Sequence, residues 1–417
     1  MAFGVYIHIP YCLQICPYCD FAKYRLGKIM APANYIELLK REIQIRACDV
    51  PIREIDTIYF GGGTPSLFEP ELILTVLDEL ANAGFTYTRN VPKTSGLGSA
   101  KSVEMTPIEI TIEIDPATID QSRLEKYLEI GINRFSVGAQ TFSPRLLKIA
   151  GRKHTSDDTI ELLTLLQQHR VNYSFDLLFG LPTQTLAELR ADILAALQFN
   201  PSQLSAYLLT VPDSHPMAKN RAPDEEQVEM FNLIESELEA AGVLRYEISN
   251  FAKPGLESRH NMLYWTDQAY WGLGVSAHSY FPRSLFREPK HWGQRFWNSS
   301  SISGYEKELK EPRDGSKKLW QFVSDLPQKQ CEQLTENQSL SEFCHTSLRL
   351  SRGLSICALR LKFGESRVDL VRHALNKLEA DGYLSQKDDE FFLTAHGRIL
   401  ANHVFAELTY LPESLPK

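Results

Sequence analysis

The 417-residue sequence predicts an α/β fold: a partial (β/α)6 barrel followed by a mainly helical, winged-helix-like domain. Up to about Tyr280, short apolar stretches alternate with longer amphipathic ones, a pattern typical of strand–helix units that form a parallel sheet. Beyond that point the alternation stops and helical patterns dominate. A cysteine cluster, a glycine cluster and acidic motifs each directly follow a predicted strand, where barrel loops build functional sites.

The first predicted domain covers residues 1–280. Its predicted strands are Val5–Ile9, Thr57–Phe60, Glu109–Ile114, Arg134–Val137, Ser174–Leu178 and Leu204–Leu208. Its predicted helices are Tyr35–Ala47, Pro70–Ala83, Gln121–Glu129, Ser156–His169 and Leu186–Ala196. Residues 86–107 are rich in Ser, Thr, Lys, Gly and Pro without periodicity, so we expect a mobile surface loop there.

The second predicted domain covers residues 281–417. A helix–loop–helix over Ser339–Lys362, a helix at Asp369–Ala380, a hairpin at Tyr383–Leu393 and a helix at Ala395–Leu408 resemble a winged helix. Many winged helices bind DNA, and others only pack against a neighbouring domain. The net charge of −8 argues against nucleic-acid binding.

Composition and cysteine usage predict a cytoplasmic protein. No apolar run is long enough to span a membrane, and no signal peptide precedes Phe3. The chain has seven cysteines, an odd number, and three of them are clustered. This usage fits a reducing compartment better than a disulfide framework.

Cys12, Cys16 and Cys19 form a CxxxCxxC triplet. Three thiolates this close together can ligate three irons of a [4Fe–4S] cubane and leave the fourth iron open to another ligand. The alternatives are a zinc site, a disulfide or chance. Zinc requires a fourth ligand, and no second Cys/His pair follows at the usual spacing.

Further motifs accompany the cysteines along the chain. They are Tyr6–Pro10, Tyr59–Ser66, Glu113–Pro116, Ser136–Gln140, Gly151–Arg152, Asp176–Pro182, Tyr246–Ala252, His260–Trp265 and Gly272–Gly274. Together with the cysteines, they resemble the radical S-adenosylmethionine (SAM) superfamily over nearly the whole chain. The resemblance is closest to the branch of the oxygen-independent coproporphyrinogen III oxidases and the HemW heme chaperones.

This resemblance implies a [4Fe–4S] cluster on Cys12, Cys16 and Cys19, with SAM chelating the open iron. Reduction of the cluster would then cleave SAM to a 5′-deoxyadenosyl radical. The matching positions imply that the remaining site residues bind SAM. They are Gly61, Gly62, Gly63 and Thr64 near the methionyl end, Glu113 near the methionyl group, Arg152 for the carboxylate, Gln140 and Asp176 for the ribose, and Tyr18 for the adenine. For the glycines a tight turn is the alternative, and for Tyr18 plain packing beside the cluster.

Two departures favour the chaperone family over the oxidases. The oxidases carry a fourth cysteine two residues past the third, where this chain has Phe21. The chain also starts at the first barrel strand, without the oxidases' N-terminal extension. An HNxxYW motif over His260–Trp265 is shared with the chaperones. His260 could ligate heme or lie in a hydrogen-bonded loop, and His278 is a weaker candidate ligand.

We therefore predict a radical SAM protein that binds heme as cargo and delivers it to apo-hemoproteins such as those of the respiratory chain. The resemblance also implies an electron donor. It leaves SAM turnover, homodimerisation and peripheral membrane association open. The main alternative is oxidative decarboxylation of coproporphyrinogen III propionates to vinyl groups. Modification of RNA or protein is less favoured, because the auxiliary-cluster cysteines of such enzymes are missing.

Overall fold

The computed structural model describes residues 1–89, 108–287, 290–310 and 330–410. Its strands are β1 (Phe3–Ile9), β2 (Tyr11–Cys12), β3 (Tyr24–Arg25), β4 (Thr57–Gly62), β5 (Glu109–Ile114), β6 (Arg134–Gln140), β7 (Asn172–Phe179), β8 (Gln203–Leu208), β9 (Leu244–Arg245), β10 (Asn250–Ala252), β11 (Ala269–Leu273), β12 (His278–Pro282), β13 (Gly293–Trp297), β14 (Cys331–Leu334), β15 (Leu354–Ser355), β16 (Leu384–Lys387) and β17 (Glu390–Leu393).

The α-helices of the described residues alternate with the strands of the barrel and dominate the C-terminal part. They are α1 (Pro32–Arg46), α2 (Pro70–Asn82), α3 (Gln121–Glu129), α4 (Pro144–Ile149), α5 (Ser156–Gln168), α6 (Leu186–Gln198), α7 (Asp224–Ala240), α8 (Arg259–Trp265), α9 (Ile302–Lys310), α10 (Glu336–Arg349), α11 (Ile356–Phe363), α12 (Glu365–Ala380), α13 (Ala395–Ile399) and α14 (Ala401–Glu407).

Six parallel strands form the partial barrel in the order β1-β4-β5-β6-β7-β8. Each of these strands was predicted from the sequence, with ends that differ by a few residues. The predicted helices between them correspond to α1, α2, α3, α5 and α6. Helices α5 and α6 each begin with a capping box, in which a threonine and the acidic side chain three residues later satisfy free backbone amides.

Alternating residues give the barrel strands two different faces. Ile58 and Phe60 of β4 are fully buried in the core that the strands form with their helices. Tyr59 lies on the opposite, concave face, where it lines a cavity together with polar side chains of the other strands. The interior of the barrel is therefore a polar site, whereas the apolar core lies between sheet and helices.

The sheet is wider than the sequence predicted. Strand β11 pairs in parallel with β1, and β12, β13 and β14 extend the sheet in antiparallel fashion, while β10 and β9 extend its other edge. The predicted domain boundary after residue 280 stays a prediction. Strand β12 spans that position, and the sheet continues to Leu334.

The C-terminal unit has its own hydrophobic core, whose buried members run from Leu340 to Tyr410. Its small sheet has the order β15-β17-β16, and its helices and hairpin lie where the winged-helix pattern predicted them. Arg398 joins it to the barrel through an ion pair with Glu235 of α7. Of the predicted loop 86–107, residues 90–107 lie outside the described residues. In the described parts of the chain, no helix combines the length and apolar composition needed to cross a bilayer.

A buried carboxylate joins α1 to the widened sheet. Glu42 is fully buried and accepts hydrogen bonds from Gly274 N at 2.8 Å, Asn298 Nδ2 at 2.9 Å and the Tyr305 hydroxyl at 2.6 Å. It also pairs with Arg46 one turn along the same helix. These contacts connect α1, the turn after β11, the end of β13 and α9.

We expect Glu42→Ala to lower the free energy of unfolding by about 3–5 kcal/mol, because a buried cation loses its paired carboxylate and several buried donors lose their acceptor. Glu37→Ala on the same helix is the control. Glu37 is exposed and pairs with Lys40, so its loss should cost less than about 1 kcal/mol. Urea denaturation followed by circular dichroism measures both. Equal effects of the two substitutions would show that the buried network does not stabilise the fold.

Candidate functional site

A cavity of about 490 Å³ lies at the carboxyl ends of the barrel strands. Its wall combines the cysteine loop with concave-face residues of β4 to β8. The structure brings most of the predicted site residues to this cavity: Cys12, Cys16, Tyr18, Cys19, Gly62, Gly63, Thr64, Glu113, Gln140, Arg152 and Asp176. Two predicted site residues, Gly61 and His260, do not line it.

The loop carrying the cysteines is closed at its base by a short parallel pair. Tyr11 and Cys12 of β2 pair with Tyr24 and Arg25 of β3. The backbone amide of Leu26 also donates to the carbonyl of Cys12, at 2.9 Å. The loop ends are thereby fixed to the end of β1.

A buried histidine holds the loop from inside the barrel. His8 Nε2 lies 2.7 Å from the carbonyl oxygen of Ala22, and His8 Nδ1 lies 2.9 Å from the Tyr6 hydroxyl. Burial lowers the pKa of His8, although its bond to the Ala22 carbonyl opposes the shift. The imidazole is therefore neutral, donating to the loop through one nitrogen and accepting from Tyr6 through the other. His8 has a structural role here.

The three cysteine thiols are neighbours at one side of the cavity. Cys12 is nearly buried, while Cys16 and Cys19 are partly exposed. Burial raises the pKa of Cys12 to about 11, with a hydrogen bond to Thr64 lowering it and the nearby Cys19 and Cys16 raising it. In the described ranges, no three His, Cys, Asp or Glu side chains form a group that could hold a metal ion.

Packing explains the glycine cluster. A Cβ on Gly62 would lie 2.4 Å from the His8 ring, and one on Gly63 would lie 2.6 Å from the Tyr11 carbonyl oxygen. A Cβ on Gly61 would lie 3.0 Å from a Glu113 oxygen. Gly61 is not part of the cavity lining, whereas Glu113 beside it is, and approach of Gly61 to a ligand stays a prediction. Such an approach also stays a prediction for Gly62 and Gly63.

Glu113 is held on the cavity wall by two hydrogen bonds. Its carboxylate accepts from the Tyr59 hydroxyl and from Gly62 N, each at 2.9 Å. Burial nevertheless raises its pKa to about 7, and the charge of Asp176 adds to this. A cationic ligand group would therefore be favoured next to Glu113.

Asp176 lies deep in the same cavity, and burial raises its pKa to about 6. Its hydrogen bond to Ser205 and the charge of Arg134 oppose that shift. Arg134 is 2% exposed and donates to Ser174 at 2.9 Å and to Gln203 at 2.7 Å. The sequence analysis missed Arg134, although a charged residue opening an apolar strand was the signal that could have found it.

Arg152 lies between the cysteines and an acidic side chain. Its Nη2 donates to Asp115 Oδ2 at 2.8 Å and to the Gly138 carbonyl at 2.9 Å, while Nη1 lies 3.7 Å from Cys16 Sγ. Burial would raise the pKa of Asp115, but a hydrogen bond to His154 and the charge of Arg152 lower it below its usual range. Arg152 Nε is buried without a hydrogen-bond partner among the described residues, so a donor remains for an anionic ligand.

Tyr18 and Gln140 border the cavity from two sides. Tyr18 packs against an apolar cluster that includes Leu178 and Met217, beside Cys16. Gln140 has a left-handed backbone, φ 66°, at the irregular end of β6. Such a conformation is uncommon for a residue other than glycine and is typical of functional sites.

The structure does not support His260 as a heme ligand. The side chain is 1% exposed; Nδ1 lies 2.8 Å from Thr57 Oγ1, and Nε2 lies 2.9 Å from the Tyr264 hydroxyl. Burial lowers its pKa to about 3. With both nitrogens bonded and no free edge, the alternative of a histidine in a hydrogen-bonded loop is favoured. Arg349 covers the ring of Trp265 from the same motif, at 4.5 Å from the ring centroid.

Comparison with known proteins agrees with this architecture. The model of the radical SAM superfamily matches residues 6–196, and that of the HemN C-terminal domain matches residues 334–400. The heme chaperone HemW of Bacillus subtilis is 31% identical over 96% of this chain and 98% of its own length. HemW of Escherichia coli is 30% identical, covering 96% of each chain. This chain belongs to the HemW family of radical SAM proteins.

The solved structure of the E. coli coproporphyrinogen III oxidase HemN, a radical SAM enzyme, superposes with a TM-score of 0.75. The match covers 98% of this chain and 90% of the oxidase, at 19% sequence identity. At this identity, the likeness shows a common fold. It confirms the predicted radical SAM barrel and its C-terminal domain.

Membership of the radical SAM superfamily implies a [4Fe–4S] cluster and SAM, and the residues present fit both. Although no three side chains of the described residues are grouped to hold a single metal ion, a cubane takes one thiolate at each of three irons, and three thiols on one tied loop line the same cavity. The adjoining cavity offers a carboxylate at Glu113, a buried unpaired donor at Arg152 and a polar floor at Asp176. This donor set matches a ligand carrying an ammonium, a carboxylate and hydroxyl groups.

The contact between Gly62 and His8 generates a test of how the loop is held. We expect Gly62→Ala to reduce the iron bound per chain after anaerobic reconstitution severalfold. The new Cβ would displace the His8 ring that bonds to the loop at Ala22, and φ +116° disfavours any side chain. Iron and sulfide analysis of the purified protein measures the effect.

Gly84→Ala is the matched control. Gly84 also has a positive φ, +86°, but a Cβ there meets no atom within 4 Å. The substitution should cost about 1–2 kcal/mol in backbone strain and leave the iron content unchanged. Full iron loading of Gly62→Ala would mean that His8 does not hold the cysteine loop.

Proposed function

We propose that this protein is a radical SAM heme chaperone, which binds heme and delivers it to apo-hemoproteins such as those of the respiratory chain. The observation that carries the proposal is the similarity to HemW over essentially the full length of both chains. Phe21, at the position of the oxidases' additional cysteine, also supports it. The likeness to the oxidase is one of fold and does not favour coproporphyrinogen as the substrate.

The proposed cofactor site uses the cavity at the cysteine loop. Cys12, Cys16 and Cys19 would hold the [4Fe–4S] cluster, which supplies low-potential electron-transfer chemistry and an open iron for SAM when bound. The protein's own part is to hold the loop through His8 and the β2–β3 pair and to present polar groups to SAM.

The groups of SAM match the chemistry of the cavity wall. Glu113 suits the ammonium and the free donor of Arg152 suits the carboxylate, as charge-assisted hydrogen bonds. Asp176 and Gln140 offer polar partners to the ribose. Tyr18, which packs against an apolar cluster, suits the adenine. Thr64 is hydrogen-bonded to the Cys12 thiol and would contribute to the cofactor site through that cysteine.

The remaining parts of the proposal concern the cellular context. We infer a cytoplasmic protein that takes an electron from a donor protein and associates peripherally with the membrane where respiratory apo-hemoproteins receive heme. Dimer formation belongs to the same hypothesis. The acidic net charge supports the absence of a nucleic-acid function.

The decisive experiment is an anaerobic titration of the cluster-reconstituted protein with heme, read by the Soret band and followed by transfer to an apo-b-type cytochrome. We expect saturable one-to-one binding and appearance of the holo-cytochrome. A parallel incubation with coproporphyrinogen III, SAM and a reductant should yield no vinyl product. Decarboxylation without heme binding would overturn the chaperone proposal.

The cluster assignment predicts the outcome of single cysteine substitutions. Cys12→Ala, Cys16→Ala and Cys19→Ala should each remove the absorbance near ~400 nm typical of thiolate-bound iron–sulfur centres. Cys48→Ala is the control, since that thiol is exposed and lies outside the cavity lining. Retained absorbance in any of the three variants would contradict the assignment for that cysteine.

The raised pKa of Glu113 predicts a pH-dependent affinity for SAM. With a pKa of about 7, the carboxylate becomes protonated as pH falls, and it then loses its attraction for the SAM ammonium. The dissociation constant should rise by about eightfold between pH 7.5 and pH 6, from the change in ionised fraction. Glu113→Gln should bind weakly at both pH values. Isothermal titration calorimetry measures both proteins, and identical pH dependence in the two would exclude this role of Glu113.

A further inference from the structure

A second cavity of about 370 Å³ lies beside the first. Its lining includes Tyr6 of β1, Tyr264 of α8, Tyr270 of β11 and His278 at the start of β12. Asp20 and Phe21 of the cysteine loop line both cavities, so the cavities adjoin at this part of the loop. Apart from His278, which the sequence offered as a weaker candidate ligand, no predicted site residue lines this cavity.

His278 provides an available imidazole at this cavity. The side chain is exposed, and one ring face stacks on Trp297 with centroids 5.3 Å apart and an interplanar angle of 18°. Neither ring nitrogen is hydrogen-bonded to a residue that the structure describes. Partial burial and the nearby charge of Arg295 lower the pKa of His278, so the ring is neutral near pH 7. A neutral imidazole held by stacking is a ready iron ligand.

Aromatic side chains line the same cavity as this imidazole. Phe21 is 66% exposed although it is a large apolar side chain. Tyr264 and Tyr270 meet edge to face, with ring centroids 4.7 Å apart. The Tyr264 hydroxyl is bonded to the buried His260, so the position of this ring is fixed from below. An exposed phenylalanine beside two half-buried tyrosines at a cavity can pack against a flat apolar ligand.

The first cavity offers no comparable iron ligand. Its lining contains no histidine among the described residues, and the charged side chains of Glu113, Asp176 and Arg134 lie in its wall. That wall suits SAM and would leave a macrocycle's apolar faces against buried charges. The two neighbouring cavities therefore differ in the ligand that each can accept.

We propose that the second cavity is the heme site, with His278 as the axial ligand of the iron and with Phe21 and Tyr264 packing against the macrocycle. The inference rests on the proposed heme-chaperone function and specifies where that function is performed. A cavity this open can enclose only part of the macrocycle. The propionates would then point to solvent, and an acceptor protein could reach the bound heme directly. His260 acts as a positioning residue through Tyr264.

His278→Ala is the first test, by titration with heme under the anaerobic conditions given above. We expect the dissociation constant to rise by about tenfold or more, since an axial iron ligand is lost. The Soret and visible bands should also change to those of heme without a protein imidazole. Adding free imidazole should restore the wild-type bands, an effect that a purely structural role of His278 would not produce.

His373→Ala is the matched control, because His373 is an exposed histidine on α12, outside the lining of both cavities. It should bind heme like the wild type. Phe21→Ser tests the packing against the macrocycle independently of the iron ligand. We expect weaker heme binding, while the absorption bands stay those of imidazole-ligated heme. Iron–sulfur absorbance of each variant verifies that the barrel is intact.

The outcomes separate the two proposals. Wild-type protein that binds no heme would overturn the proposed function and this site together. Wild-type binding that His278→Ala leaves unchanged in affinity and spectrum would overturn this site and leave the chaperone function standing. Weakened binding with restoration by imidazole would establish His278 as the ligand.

Discussion

The pairing of β1 with β4 fixes the position of the whole functional region. Beyond the last paired residues, the hydrogen-bonded register continues into the loops, where Gly63 N donates to the Ile9 carbonyl at 2.8 Å and Thr64 N to the Tyr11 carbonyl at 2.7 Å. This extension presses the glycine cluster against the base of the cysteine loop. Side chains at Gly62 or Gly63 would enter His8 or the Tyr11 backbone. The glycines therefore permit the close contact that places three thiols over the barrel opening.

The pKa values of the buried carboxylates inside the barrel are shifted in different directions, because their hydrogen-bonding and charged partners differ. Asp115 stays ionised, since His154 and Arg152 overcome the effect of burial and lower its pKa. Glu113 and Asp176 have weaker compensation, and burial raises their pKa values to about 7 and about 6. Apolar side chains of similar volume would stabilise the barrel at least as well as these buried carboxylates. We therefore interpret the carboxylates as groups that bind a cationic, hydroxyl-bearing ligand.

The HNxxYW motif illustrates that a sequence motif does not indicate which of its side chains is accessible to a ligand. Both nitrogens of the buried His260 are hydrogen-bonded, and Trp265 packs under Arg349 of the C-terminal unit. Asn261 lines the first cavity and Tyr264 the second. An imidazole with free nitrogens is found instead at His278, thirteen residues past that motif's tryptophan. Sequence spacing gave no reason to prefer it, because exposure and hydrogen bonding of a histidine depend on residues distant in the chain.

The sequence by itself determined the barrel strands and their helices, the winged-helix pattern and most residues of the first cavity. Local periodicity and capping specify such elements, and a loop after a parallel strand can only lie at the barrel's carboxyl end. Tertiary structure alone decided the antiparallel extension through β14, since pairing of β11 with β1 joins segments far apart in the chain. Tertiary structure also decided that Arg134 lies under the site and that Gly61 faces Glu113. It likewise decided that His260 is buried while His278 is exposed. Each of these depends on which distant side chains share one buried volume, a property that no local pattern encodes.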